Sequence, residues 1–117
     1  MSTQRIYTMN EVKKEDSVKA VKTPFYQTAS TGDSVWVIKP GQTLQKHRHN
    51  NSDDIWVVLQ GQGIFLSGAG SGGTVLCRTG ACLGKRQCHG AKNTGEEDII
   101  FVSIVAPVPA DYQPIGE

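Results

Sequence analysis

The segment QKHRHNNSDD, residues 45–54, places two histidines one residue apart and two aspartates just after them. The whole chain of 117 residues has three histidines, so two of them fall in this one stretch. Imidazole nitrogen and carboxylate oxygen are both metal ligands, with metal–nitrogen distances of about 2.0–2.1 Å in zinc sites. In a β-strand alternate side chains share a face and each residue advances about 3.3 Å, so His47 and His49 would stand roughly 6–7 Å apart on one face. Two such rings can converge on one cation. Lys46 and Arg48 would point the other way and keep their charge from it. The other reading of these residues is a pair of solvated or hydrogen-bonded histidines on a polar strand.

A site of that kind needs a rigid frame, and the rest of the chain reads as one built from strands. Thirteen glycines punctuate short apolar runs at 35–38, 55–59, 64–66, 75–77 and 99–105. The runs are of strand length, rich in Val, Ile, Trp or Phe, and bounded by turn residues. Regular short strands predict a β-sandwich or barrel with at least eight strands. NEVKKEDSVKAVK, residues 10–22, is the one stretch expected to hold a helix, with Asn10 as its N-cap. GAGSGG at 68–73 satisfies G-x-G-x-x-G, but a dinucleotide site needs that motif to open a helix in a βαβ unit. Between two strand-like runs it reads instead as a hairpin loop, and GQG at 61–63 reads as a tight turn. The C-terminal APVPADYQPIGE, residues 106–117, reads as an extended tail, because proline interrupts ladders and helices alike.

Length and charge bound the partners. One domain, residues 1–117, is expected, long enough to bury a core without disulfides. Twelve Lys and Arg against eleven Asp and Glu give a net charge of +1, with no basic stripe, so neither nucleic acid nor a membrane surface is an expected partner. The first twenty residues hold no apolar core of signal-peptide length, and a cytoplasmic location is the expectation. Cys77, Cys82 and Cys88 form no CxxC pair and read as reduced, partly buried thiols.

One pattern joins these observations. Gly41, five residues, His47-Arg48-His49, four residues, Asp54, six residues and Gly61 resemble the first motif of the cupin family. HGAKN, His89 to Asn93, is similar to the end of the second cupin motif, a histidine, three residues and an asparagine. All three histidines therefore fall on positions that are metal ligands in that family. Two departures stand out. The family's glutamate position holds Asp54, one methylene shorter, chosen over Asp53 because it leaves six residues before Gly61. GACLGKRQCHGAKN, residues 80–93, lacks the proline and glycine expected before the histidine.

The resemblance covers residues 32–109, with residues 1–30 as an arm and first strands. It implies an all-β, double-stranded β-helix or jelly-roll barrel. It implies one divalent transition metal (Fe, Mn, Ni, Zn or Cu) held by His47, His49, Asp54 and His89, with Asp54 the weaker ligand. The expected function is a metal-dependent enzyme on a small oxygen-bearing molecule, with dioxygenation ahead of isomerase, lyase or cyclase chemistry and of non-enzymatic ligand binding. Gln45, Trp56, Lys85 and Arg86 are the residues expected to meet that substrate. Trp56 shares strand parity with Asp54, and core packing is its other reading. A homodimer with residues 1–30 at the interface is the expected assembly.

Overall fold

The structure, a computed structural model, describes residues 4–67, 70–76 and 78–115. Among the described residues, ten strands form two five-stranded antiparallel sheets. One sheet contains β1 (Val21–Gln27), β2 (Gly32–Ile38), β4 (Asp53–Gln60), β7 (Gly80–Leu83) and β9 (Ile99–Ala106), in the order β1-β2-β9-β4-β7. The other contains β3 (Thr43–Arg48), β5 (Gln62–Ser67), β6 (Gly70–Leu76), β8 (His89–Lys92) and β10 (Gln113–Pro114), in the order β10-β3-β8-β5-β6. This is the jelly-roll arrangement expected from the sequence.

Alternation along the strands decides what lies between the sheets. In β4, Asp54, Trp56 and Val58 are buried, while Ile55, Val57 and Leu59 face outward and are exposed. The core between the sheets joins Trp56 and Val58 to Ile38, Leu44, Leu83, Ala91, Ile99 and Phe101. Full burial of each large apolar side chain contributes about 1.5–3 kcal/mol. The Trp56 and Phe101 rings lie 4.2 Å apart at the centre of this cluster.

Two glycines shape the frame around the site. Gly61, at φ +87°, carries the chain from β4 in one sheet to β5 in the other. A β-carbon there would stand 2.5 Å from the Asp98 carbonyl oxygen. Gly90 in β8 lies against β3 where the ladder register shifts between Leu44 and His47. That β-bulge places His47 on the same inward side as Leu44 three residues earlier, an odd spacing that a regular strand does not allow.

The helix expected over 10–22 is one turn only. α1 spans Met9–Val12 with Thr8, not Asn10, at its N-cap; Lys13 is extended and the chain bends at 17–19 before β1. The charged residues that follow have no apolar stripe to bury. The Asp16 carboxylate accepts the Val18 N–H at 2.7 Å, a local bond that competes with helix. Met9 and Val12 instead pack on the outer face of the first sheet, against Val35, Val37 and Ile100. The expected hairpin loop at 68–73 is narrower than the sequence suggested. Ser67 pairs with Gly70 and Phe65 with Gly73, so Gly70–Gly73 belong to β6, and Gly68 and Ala69 lie outside the described residues.

Candidate metal centre

The three histidines meet at one end of the space between the sheets. His47 in β3 and His89 at the start of β8 are directly paired across the ladder, with ring centroids 4.2 Å apart. His49, just past the end of β3, brings its ring to 5.3 Å from His47 and 5.2 Å from His89. One ligand nitrogen from each ring lies within 4.8 Å of the others. The opposite sheet supplies the carboxylate. Asp54 Oδ2 stands 3.5 Å from Nε2 of both His49 and His89, and its Oδ1 accepts the Ser103 hydroxyl at 2.7 Å. Asp54, not the adjacent Asp53, faces the histidines. Asp53 is exposed, and its Oδ1 accepts the Lys85 N–H at 3.1 Å.

Each ring is held by its Nδ1 against a backbone carbonyl. His47 Nδ1 meets the Gln45 carbonyl at 2.9 Å, His89 Nδ1 the Gln87 carbonyl at 3.1 Å, and His49 Nδ1 the Asp111 carbonyl. An Nδ1–H donating to a carbonyl leaves the Nε2 lone pair free in the neutral ring, the usual second-shell arrangement of a metal-ligating histidine.

The electrostatics fit the same geometry. Burial drives the His47 pKa down to about 4, assisted by His89 and His49 and opposed by the Gln45 carbonyl, so this ring is neutral at pH 7. Burial acts to raise Asp54, but His49, His89 and Ser103 outweigh it and hold the carboxyl well below the usual carboxylate range. The Asp54 carboxylate raises His49 by more than burial lowers it. A proton on His49 beside ionised Asp54 thus stands where a bound cation's charge would.

Above the cluster lies a cavity of about 470 Å³, walled chiefly by Phe25, Tyr26, Trp36, Trp56, Val105 and Tyr112. Trp56 therefore serves both the core and the cavity wall, and its buried Nε1 has no hydrogen-bond partner among the described residues. Gln45, Lys85 and Arg86 are exposed and are not among the wall residues. Gln45 contributes its carbonyl to His47 rather than its side chain to the cavity. Lys85 and Arg86 sit on the turn between β7 and β8, where the Arg86 N–H donates to the His49 carbonyl at 2.7 Å. Cys82 is exposed and also lies outside the wall, and Cys88 is half-buried.

No protein-family model matches this sequence, and no curated protein matches it. Solved structures do match. A conserved protein with a double-stranded β-helix domain from Klebsiella pneumoniae subsp. pneumoniae MGH 78578 superposes with a TM-score of 0.93 at 29% identity, over 98% of this chain and 94% of that one. An RmlC-like cupin from Desulfovibrio desulfuricans superposes at 0.80 with 20% identity, over 89% and 97% of the two chains. KdgF from Halomonas sp. superposes at 0.75 with 17% identity, over 90% and 94%. The chain has the double-stranded β-helix fold that these cupins share.

The residues of this site fit a divalent transition metal on their own chemistry. Three histidine nitrogens converge, an ionised carboxylate stands beside them, and His89 Nε2 is buried with no hydrogen-bond partner among the described residues. A buried polar atom left unpaired costs about 1–3 kcal/mol, which coordination would offset. Three histidines and one carboxylate suit Fe, Ni, Cu, Zn or Mn and leave positions open to a ligand from the cavity. Among the described residues no helix is long and apolar enough to cross a membrane.

Two residues of the site, Ser103 and Asp111, escaped the sequence reading, whereas Tyr112 stood there, with Tyr7 and Tyr26, as a candidate to move protons. Ser103 had a signal, a lone polar residue at an inward position of the apolar run 99–105 that becomes β9. Asp111 had none. The Tyr112 ring stacks on His47 at 4.7 Å and 24°, brought there by a tail that folds back more than sixty residues along the chain. Asn93, the last residue of HGAKN, serves the frame. Its Nδ2 donates to the Ile38 carbonyl at 2.7 Å and the Glu97 carbonyl at 2.9 Å.

Proposed function

We propose that this protein is a metal-dependent enzyme acting on a small oxygen-bearing molecule, with His47, His49, His89 and Asp54 holding one divalent transition metal. One observation carries the reading. All three Nδ1 atoms are tied to backbone carbonyls, which leaves the Nε2 side of each ring for a ligand, and the Asp54 carboxylate stands 3.5 Å from Nε2 of both His49 and His89. A metal at that point supplies Lewis acidity toward a carbonyl or carboxylate and, as iron, access to dioxygen chemistry.

The chain's own residues define what the substrate meets. Ser103 orients the Asp54 carboxylate from behind. Trp36, Trp56, Phe25 and Val105 give the cavity an apolar face for the substrate, with Tyr26 and Tyr112 at its exposed side. The Trp56 indole N–H, buried on that wall without an acceptor, is placed to donate to a substrate oxygen. Oxidation by dioxygen leads narrowly, because the chain has no fourth histidine to serve as a general base beside the three ligands, although Lys22 and Asp33 also line the cavity. Lewis-acid isomerase, lyase or cyclase chemistry is the second reading. The Tyr112 phenol on the wall beside His47 favours it as a proton donor.

Elemental analysis of protein purified without added metal tests the proposal. About one iron per chain, lost in His47→Ala, is the expected result. Zinc, nickel or manganese in its place shifts the reading to Lewis-acid chemistry. A chain that takes up none of the five candidate metals when they are supplied removes the proposal.

A further inference from the structure

We propose that the C-terminal strap, residues 110–115, is a working part of the metal centre. Asp111 is its positioning residue: it holds His49 in the ligand pose, and a bound metal in turn fastens the strap. This rests on the metal-binding reading above.

The three histidines are not braced alike. The rings of His47 and His89 are each held by a carbonyl two residues earlier in the chain, within or next to their own strand. His49 lies beyond the end of β3, and its Nδ1 is held by the Asp111 carbonyl, 62 residues away. The aim of His49 therefore depends on where the strap lies.

Asp111 also fixes that position itself. Its carboxylate accepts the Asn50 N–H at 2.9 and 3.0 Å, the Asn51 N–H at 3.1 Å and the Asn50 side-chain amide at 2.9 Å. One residue thus grips both the His49 ring, through its carbonyl, and the turn that follows His49, through its side chain. Neighbouring strap residues add to the hold. The Gln113 side-chain oxygen accepts Arg48 Nε–H at 3.1 Å and the Asn50 amide at 3.0 Å, and the Ile115 N–H donates to the Lys46 carbonyl at 3.0 Å.

Beyond these bonds and the Tyr112 ring stacked on His47, the strap has only a short ladder. β10 has two residues, both exposed, at the edge of its sheet. A segment with so short a ladder depends on side-chain bonds to stay docked. Because docking and metal binding both require the same pose of His49, each favours the other by the same factor.

The test uses the full chain and cobalt(II) alone, followed by calorimetry and by the visible spectrum of the bound ion. Asp111→Ala is expected to weaken cobalt binding about 10–100-fold, the range for loss of an outer-shell partner. Asp111→Asn, which keeps one acceptor oxygen, should recover part of that loss. Glu96→Ala, an exposed charge away from the site, should bind as the parent does. In the unaltered protein, saturating cobalt should slow hydrogen exchange at the amides of Asn50, Asn51, residues 110–113 and Ile115. Parent-like affinity in Asp111→Ala, or exchange at those amides unmoved by cobalt, overturns the proposal. Should Asp111→Ala not fold, the exchange measurement on the parent decides. A parent that binds no cobalt removes the metal reading and the strap together, whereas equal binding by parent and Asp111→Ala removes the strap alone.

Discussion

Gly90 lies so close to Leu44 that a β-carbon on it would stand 2.5 Å from the Leu44 carbonyl oxygen. The same β-carbon would meet the Lys46 nitrogen at 3.0 Å and the Gln45 carbonyl carbon at 3.1 Å. All three are backbone atoms of the bulge that turns His47 inward, and a backbone cannot swing aside as a side chain does. Gly90→Ala must therefore push β3 away from β8 at the His47–His89 pair. The expected cost is about 1–3 kcal/mol of stability, typical of overpacking. Metal uptake should fall as well, because His47 and His89 no longer converge. Urea denaturation and metal stoichiometry check both, and parent values in both would mean that the strands yield freely.

The ligand substitutions should follow an order. His47→Ala and His49→Ala should lose most of the bound metal, since each removes a converging nitrogen. Asp54→Ala should lose less, because its carboxylate is the shorter-reaching ligand. Asp53→Ala should be near neutral, because that side chain faces outward to the Lys85 N–H. Metal content after dialysis reads the series directly. A larger loss in Asp53→Ala than in Asp54→Ala would show that the motif is out of register by one residue.

Proton linkage gives a signed pH dependence. Burial lowers His47 from 6.5 to about 4, and Asp54 also titrates below its ordinary value. In both cases the unfolded chain binds a proton that the folded chain does not, so stability rises with pH. The His47 contribution is complete above 6.5 and is lost as pH falls toward about 4, with that of Asp54 lost lower still. His49 has the opposite sign. Its pKa is raised, so its contribution is present below 6.5 and fades as pH rises through the folded value. The urea midpoint of the metal-free protein should therefore drop between pH 6.5 and 4, and His49→Gln should remove the loss on the alkaline side. Metal affinity should also weaken as pH falls, since protons compete for the ligands. Because His47 is already neutral, the slope of log affinity against pH between 5 and 7 should stay below three protons. Calorimetry that returns three would contradict the assignment to His47.

The legible parts of this fold were those written in local spacing. His47, His49 and Asp54 share one stretch, and the six residues to Gly61 set the register because only a residue tolerant of positive φ makes that crossing between sheets. Strand alternation gave Trp56 its inward face. Illegible were the features decided by distant contacts. The Lys- and Glu-rich stretch after Val12 read as helix, but it has no apolar face to bury, and its Asp16 bonds locally instead. Gly70–Gly73 read as loop because glycine is depleted in strands, yet pairing with β5 overrides that preference. Lys85 and Arg86 read as substrate contacts from their nearness to His89, but the turn that carries them points into solvent. The tail read as extended, but among the described residues it bends at 107–109 and forms only the two-residue β10. That Asp111 and Tyr112 close on the histidines depends on a fold-back that no local pattern records.

Trp56 joins the core to the cavity, and two substitutions separate those roles. Its ring lies 4.2 Å from Phe101 and 5.6 Å from His89, and its side chain is 1% exposed. Trp56→Ala should cost about 3–5 kcal/mol, the usual result of emptying a large core site. Trp56→Phe keeps most of the packing and removes an indole N–H that has no acceptor among the described residues. Loss of an unpaired buried donor relieves a penalty of about 1–3 kcal/mol, which offsets the lost ring volume. Stability in Trp56→Phe should therefore change by less than about 1.5 kcal/mol. Binding of an oxygen ligand should change more visibly. Acetohydroxamate, a small two-oxygen chelator, can be titrated into the cobalt-loaded protein. If the indole N–H donates to an oxygen held over the metal, Trp56→Phe should weaken that binding up to about tenfold, the worth of one net hydrogen bond. Equal binding by parent and Trp56→Phe would mean that the indole nitrogen faces the core alone, and that the cavity reads its ligand through Tyr112 and the metal cluster instead.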